Sequence, residues 1–356
     1  MLASSQSQPI LHTPAFAPAR ALLVRVIARE HLSRTEAAEL FTFVLDRGTT
    51  DAQIAAVLSA FATKVETAEE LAGMAEVMRA RATRITTRHT AFVDTAGTGG
   101  SAAKSFNVST AAAFVIAGAG LPIAKHGNRA VSSRTGSADA FLALGVNIAA
   151  PPSVMARCLD ELGICFLFAP LYHPACARAA AVRREMGIST AFNCLGPLAN
   201  PAGAPFQIVG VPVIARARTV AATLAELGTS HSWIVSAEDG LDEINTTGPT
   251  HVFEVAGNLV TERWLEPADF GFTGQDDNLP HVVDADQSAA VIRGVLDGTQ
   301  DAARRLVVAN AAAALHIAGV ASDLLEGVER AEESIDSGAA RAKLAALVQA
   351  TGGGVL

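Results

Sequence analysis

Positive charge is scarce in this chain. Its 27 Lys and Arg face 35 Asp and Glu, a formal net charge of −8. No extended basic face is expected, which argues against a nucleic-acid partner. An anionic ligand would need local positive charge set against this acidic background. Cysteine is equally sparse: Cys158, Cys165, Cys176 and Cys194 form no Cys-x-x-Cys pair, so neither a disulfide framework nor a thiol metal motif is expected. Reduced, mostly buried thiols in a cytoplasmic protein are the expectation. Long apolar runs are missing too. The most apolar stretch, Val108 to Ala124, is broken by Ser109, Thr110, Gly118, Gly120 and Pro122, whereas a membrane span needs about 20 apolar residues. Residues 1–20 lack a continuous apolar segment and read as a loose tail, with no signal peptide. No internal repeat is present.

What remains is a chain of 356 residues, half of them hydrophobic and only 17% charged, long enough for two lobes. The first, residues 21–88, reads as helical. Ser33 with Glu36, Thr50 with Gln53 and Thr67 with Glu70 are capping boxes. Each precedes apolar residues at helical spacing, such as Leu40, Phe41 and Val44, and Gly48 is the expected stop of the first helix. From Ala91 the pattern changes to strand, loop, helix and strand: Ala91–Asp94, a glycine loop, a helix from about Ser109 to Ala117, then Leu121–Ala124. Such a βαβ unit implies a parallel sheet. Further strands are expected at Gln207–Val213, Trp233–Ser236 and His251–Val255, with a hairpin turn at Gly257-Asn258.

The loop from Asp94 to Thr110 has the composition of an anion cradle. Gly97, Gly99 and Gly100 allow close backbone approach. The helix that follows offers free N–H groups and the positive end of its dipole. Ser105, Asn107, Ser109 and Thr110 add side-chain donors. No Gly-Lys-Ser/Thr closes the loop, so it is not a Walker loop. A tight strand–helix turn capped by Ser109 is the plain alternative. Lys125-His126-Gly127-Asn128-Arg129 follows the next strand, where ligands of open sheets gather. Ser132, Ser133 and Ser137 form a second donor-rich loop. Each run alone also reads as a solvated turn; together they favour a large anionic ligand.

These runs resemble the anthranilate phosphoribosyltransferase family in order and spacing. So do Phe168-Ala169-Pro170, Tyr172-His173, Arg183, Phe192 to Pro201, Asp239 to Glu243 and Asn310 to Leu315. The likeness covers essentially everything after residue 20. It implies a small N-terminal helical domain hinged to a larger α/β domain with a mainly parallel central sheet, usually as a homodimer. Residues 174–200 would return to the helical domain, leaving 89–173 and 201–356 as the α/β domain. It implies transfer of phosphoribosyl from phosphoribosyl pyrophosphate (PRPP) to the amino group of anthranilate in tryptophan biosynthesis, with Mg2+ as cofactor and no membrane or nucleic-acid partner.

Residue by residue, the resemblance assigns PRPP to Gly97, Gly100, Ser101, Ser105, Asn107, Val108, Ser109, Thr110, Lys125, His126, Gly127, Asn128, Arg129, Ala130, Val131, Ser132, Ser133 and Ser137. It assigns anthranilate to Gly97, His126, Asn128, Tyr172, Arg183 and Pro197, with the Arg183 guanidinium suited to the substrate carboxylate. Magnesium falls to Ser109, Asp242 and Glu243, oxygen ligands of the kind it prefers. No covalent nucleophile is implied. The family usually carries Asp where Ser101 stands, Thr at Ser105 and His-Gly at Ser236-Ala237. Following Gly100, the Ser101 hydroxyl is expected to face the bound phosphates. Pyrimidine nucleoside phosphorylases and nucleic-acid-binding relatives share parts of the pattern. Arg183 with the Lys125–Asn128 run favours anthranilate over the first, and the acidic charge argues against the second.

Overall fold

The computed structural model describes residues 16–101, 106–130, 135–273 and 278–354. Helix α1 (Phe16–Ile27) begins inside the expected tail, and Leu22, Leu23 and Val26 on it are buried. Ser33, Thr50 and Thr67 then accept hydrogen bonds from the N–H groups of Glu36, Gln53 and Glu70, whose side chains accept from the cap residues in return. These boxes open α2 (Arg34–Val44), α3 (Asp51–Lys64) and α4 (Ala68–Ala80) by satisfying donors that a helix start leaves open. Helix α2 ends at Val44, short of Gly48. The Leu45 N–H caps Phe41 O and the Thr49 hydroxyl takes Phe43 O, so the last turn is closed before the glycine is reached.

The remainder alternates strands and helices. In order come β1 (Val93–Gly97), α5 (Val108–Gly118), β2 (Ile123–Gly127), α6 (Ser137–Ala143), α7 (Pro152–Leu162) and β3 (Ile164–Phe168). Then follow α8 (Ala169–Tyr172), α9 (Ala177–Met186), α10 (Ala191–Leu198), β4 (Phe206–Gly210), α11 (Ile214–Leu227), β5 (His231–Ala237), β6 (Thr250–Ala256) and β7 (Leu259–Leu265). The chain closes with α12 (Ala285–Leu296), α13 (Ala302–Ile317), α14 (Leu324–Asp336) and α15 (Ala339–Ala350). The seven strands form one sheet in the order β3-β2-β1-β4-β5-β6-β7. Pairs from β3 to β5 are parallel and the β5–β6 and β6–β7 pairs antiparallel, a mainly parallel sheet as expected. Gly257-Asn258 makes the β6–β7 turn, with Ala256 opposite Leu259.

Two strands sit later than the sequence suggests. The expected strands at Ala91–Asp94 and Leu121–Ala124 are observed at Val93–Gly97 and Ile123–Gly127. Glycine and charged residues have low strand propensity, but pairing along β4 and β3 overrides it. The helix after the glycine loop is capped at Asn107, so Ser109 lies in its first turn. The apolar run Ile164–Phe168 forms β3, an element that periodicity does not separate from a buried helix.

Side chains alternate across the sheet and feed two cores. Ile208, Trp233, Val235 and Val252 pack with α5 and α13 on one face. Val209, Ile234, Phe253 and Val255 on the other face join α11 and the N-terminal helices. Ala179 and Val182 of α9 and Leu195 and Leu198 of α10 belong to this second core, so the sequence between β3 and β4 packs with the first helices. Deep in the bundle, Glu70 Oε1 accepts from Leu32 N at 2.8 Å, and Oε2 accepts from Thr67 N at 2.8 Å and Lys64 Nζ at 2.7 Å. Both side chains of the ion pair are almost wholly buried. Removing one partner leaves an uncompensated buried charge, a loss of about 3–5 kcal/mol. Glu70→Ala is expected to lower the stability of the protein to urea by that amount, and the unfolding midpoint against unaltered protein measures it.

Candidate active site

Strand β1 ends at Gly97, opposite Gly210 of β4. A Cβ on Gly210 would lie 1.8 Å from Asp242 O, so only glycine lets the acidic turn approach the sheet. Thr98 N donates to Gly210 O at 2.9 Å. Gly99 and Gly100 then turn with φ of 70° and 86°, the left-handed region that glycine enters without strain. The loop so formed faces the N-terminus of α5.

Strand β2 supplies the cation. Lys125 is buried, and its Nζ donates to Thr95 O, to Thr95 Oγ1 at 3.3 Å and to Ser109 Oγ at 3.2 Å. Beneath it lies Asp94, fully buried, whose carboxylate accepts from His126 N at 3.1 Å and Asn200 Nδ2 at 2.7 Å. Burial raises Asp94 to about 6, while Lys125, Asn200 and the His126 N–H hold it down. The next side chain, His126, places Nδ1 3.0 Å from Gly196 O. A carbonyl can only accept, so Nδ1 carries the proton and Nε2 is left as an acceptor. Burial, reinforced by His173, pushes His126 down to about 3. Burial likewise lowers His173 to about 4, and the two rings stand 5.1 Å apart.

Beyond β2 the chain turns through Asn128, Arg129 and Ala130. Asp139 staples both ends of the turn, accepting from Ala130 N at 3.1 Å and Gly136 N at 3.0 Å. Arg129 is exposed and reaches Asp139 at 3.3 Å. Asn107 anchors the opposite wall, its Oδ1 accepting from Thr135 and Ser288 hydroxyls at 2.9 and 2.8 Å.

The last wall comes from α9 and α10. Arg183 stacks over Phe192, 4.9 Å from the ring centroid, and donates to Asn193 Oδ1 at 3.2 Å. Its Nε is buried without a partner, and among the described residues no carboxylate pairs with it. Burial lowers the guanidinium to about 10, which leaves it charged at neutral pH. Asn193 also donates to Thr98 O at 3.3 Å, tying this helix to the glycine loop. The walls enclose about 250 Å³. Gly97, Asn107, Ser109, Lys125, His126 and Gly127 line it on the sheet side; Asn128, Arg129, Ala130 and Ser137 line the turn; Arg183 and Pro197 line the helical side.

Several expected residues stand elsewhere. Tyr172 is fully buried beside Cys158 and Cys165 in the apolar core, because α8 turns it inward; Pro170 and His173 line the cavity in its place. Ser101 Oγ donates to Gly240 O at 2.8 Å, beside the acidic turn, and Ser101 does not line the cavity. Val108 and Thr110 are buried in the first turn of α5, and they and Gly100 do not line the cavity. Asp242 and Glu243 are buried behind Gly97, with Asp242 Oδ2 3.1 Å from where a Gly97 Cβ would stand. Ser105, Val131, Ser132 and Ser133 lie outside the described residues. Asp94, Asp139, Asn193 and Asn200 had no assigned role; their signal was only membership of the recognisable runs.

Residues 20–82 match the glycosyl transferase family, helical bundle domain, and residues 89–341 match the glycosyl transferase family, a/b domain. Anthranilate phosphoribosyltransferases of Anaeromyxobacter dehalogenans and Moorella thermoacetica are 51% and 49% identical to this chain, covering 92% of it and 97% of their own length. The crystal structure of anthranilate phosphoribosyltransferase from Thermus thermophilus superposes with a TM-score of 0.85 at 35% identity, covering 93% of this chain and 99% of that one. The Saccharomyces cerevisiae enzyme in complex with PRPP and Mg superposes at 0.86 with 26% identity, covering 94% and 98%. The chain thus belongs to the anthranilate phosphoribosyltransferase family.

The histidine geometry has a measurable consequence. An unfolded His titrates near 6.5, whereas His126 in the fold titrates at about 3. The unfolded chain therefore binds more protons between those values, and stability falls as pH drops from about 6.5 toward 3. Nitrogen NMR is expected to find His126 neutral with the proton on Nδ1 from pH 8 to pH 5. A midpoint near 6 would contradict the burial described.

Proposed function

We infer that the chain transfers the 5-phosphoribosyl group of PRPP to the amino nitrogen of anthranilate, releasing pyrophosphate. The observation that carries this reading is a cavity with an anion cradle and Lys125 on one side and a buried, carboxylate-free Arg183 on the other. A guanidinium held flat by Phe192 and Asn193 suits a planar aromatic carboxylate. In the reaction the C1–O bond to pyrophosphate breaks, a C1–N bond forms on the opposite face of the ribose, and the nitrogen gives up one proton to the released pyrophosphate or to water. Lys125 and the glycine-loop amides would take up charge on the leaving group. The wall of Gly196, Pro197 and neutral His126 would hold the aromatic ring. Catalysis then comes from positioning and preorganised electrostatics.

Magnesium fits the residues present. Asp242 Oδ1 is a buried carboxylate oxygen without a protein partner, next to the glycine loop. Among the described residues no set of three His, Cys, Asp or Glu can enclose an ion. Asp242, with Glu243 and the Ser109 hydroxyl, would therefore hold the ion jointly with substrate oxygens and water, as magnesium commonly is held. When bound, the ion would neutralise the diphosphate. Among the described residues no helix is long and apolar enough to cross a membrane. A homodimer accords with the exposed Val24 and Ile27 on α1.

The direct test mixes protein, PRPP, magnesium and anthranilate and follows loss of anthranilate fluorescence. Persistence of anthranilate, with phosphorolysis of a pyrimidine nucleoside instead, would overturn the reading. Arg183→Ala removes a charge-assisted contact of about 1.5–3 kcal/mol, so KM for anthranilate should rise roughly 10- to 100-fold, with a much smaller change for PRPP. Equal changes for both substrates would remove Arg183 from the acceptor side. Replacing both Asp242 and Glu243 with Ala should collapse turnover at ordinary magnesium and recover it partly at high magnesium. An unchanged magnesium titration in a folded double variant would remove the pair from metal binding.

A further inference from the structure

Strands β1 and β2 are neighbours in the sheet but pair at one position, Val93 with Ile123. Each of them keeps a full register with its other neighbour, β1 from Val93–Phe206 to Gly97–Gly210 and β2 from Ile123–Ile164 to Gly127–Phe168. At the paired position Val93 N donates to Pro122 O at 2.9 Å. A parallel ladder continued from there would send the Thr95 N–H to Ala124 O and the His126 N–H to Thr95 O. Neither pairing is present. Side chains take their place: the His126 N–H goes to Asp94 Oδ1 at 3.1 Å, and Ala124 O receives Asn200 Nδ2 at 2.8 Å. The same Asn200 nitrogen donates to Asp94 Oδ2 at 2.7 Å. The Thr95 carbonyl, released from the ladder, is taken by the Lys125 ammonium.

The exchange is costly to build, since it buries a carboxylate and an amide between strands where backbone bonds would otherwise run. Three of the four backbone groups named above, Ala124 O, His126 N–H and Thr95 O, gain a side-chain partner in exchange. Neither Asp94 nor Asn200 lines the cavity, whereas Lys125 does. We propose that Asp94 and Asn200 are positioning residues that prop β1 away from β2 and thereby fix the Lys125 ammonium toward the phosphoribosyl donor without touching it. This rests on the reading that Lys125 meets PRPP.

The test is a double-mutant cycle on PRPP affinity, measured by calorimetry with magnesium present. Asp94→Asn keeps the shape but sets an NH2 group against the Asn200 donor or the His126 N–H. It should weaken PRPP at least tenfold in the unaltered background and less than twofold in a Lys125→Met background. Asn200→Ser, which loses the bridge from Ala124 O to Asp94, should behave the same way and enters the cycle in its own right. Equal losses in both backgrounds, or no loss in either, overturn the proposal. Failure of the unaltered protein to bind PRPP overturns instead the reading of the site. A second readout leaves Asp94 and Asn200 intact. Followed by carbon NMR, the Asp94 carboxyl should titrate higher in Lys125→Met than in unaltered protein. The other titratable groups against it, His126 on β2 and Cys165 on β3, stay neutral there, because burial lowers the first to about 3 and raises the second. An unmoved Asp94 midpoint also overturns the proposal.

Discussion

An ammonium group inside a sheet must be met by acceptors, and Lys125 is only 1% exposed. Those acceptors are the Thr95 carbonyl and hydroxyl of β1 and the Ser109 hydroxyl of α5, and the charge of the Asp94 carboxylate opposes that of the ammonium. Because a buried charge without partners is far costlier than a paired one, the positions of β1, β2 and α5 are coupled through one nitrogen atom. Asp94 adds Asn200 to the set, and Asn200 sits just after α10, the helix that carries Gly196 and Pro197. The sheet side of the cavity and its helical side are thus joined beneath the floor by hydrogen bonds to a single carboxylate.

The helical part of the chain enters the site by the same logic of shared elements. Helices α9 and α10 leave the sheet after β3, pack into the core of α1–α4, and return before β4. Arg79 on α4 donates to Leu198 O at 2.7 Å, which closes the C-terminal turn of α10. Arg216 of α11 reaches Glu66, between α3 and α4, at 2.5 Å. Asn193 links the excursion back to the glycine loop. A cavity walled by elements of both cores is the kind of cleft where ligands are commonly enclosed, and any change in its width must be absorbed where these few polar contacts cross.

Much of this was legible in the amino-acid order, and the limits have physical causes. Capping boxes at Ser33, Thr50 and Thr67 are local chemistry, so the sequence carries them in full. Lys125 and Arg183 stand out in the sequence because their neighbours form ordered runs, and both line one cavity. The extent of β1 and β2 was not legible: glycine and lysine are poor strand formers, and only pairing with β4 and β3 holds Gly97 and Lys125–Gly127 extended. Tyr172 illustrates the opposite error. Its place beside His173 suggested a cavity wall, yet α8 ends at Tyr172 and His173 follows with non-helical φ of −122° and ψ of 60°, so the tyrosine lies in the core and the histidine lines the cavity. Ser101 follows a glycine whose φ of 86° redirects the chain, and no sequence pattern foretells that its hydroxyl turns to Gly240. The role of Asp94 depends on a ladder that fails to form, which is a property of the sheet and not of any local run.

The distribution of charge inside the cavity follows from burial in a way that suits the proposed chemistry. Positive character grows at the ribose C1 as pyrophosphate departs, so a further cation against that carbon would oppose the reaction. The cavity contains two histidines, His126 and His173, and burial lowers both to about 3 and 4, so each is neutral at physiological pH. The Arg183 guanidinium, lowered only to about 10, stays charged against an aromatic ring that tolerates a cation, and the Lys125 nitrogen is met by oxygens of Thr95 and Ser109. Burial therefore removes charge from the imidazoles between the helical wall and β2 and leaves it on the guanidinium of that wall. The same burial that makes His126 neutral leaves its Nε2 as a hydrogen-bond acceptor that no described residue satisfies, a polar atom whose desolvation a donor from water or from a ligand would relieve.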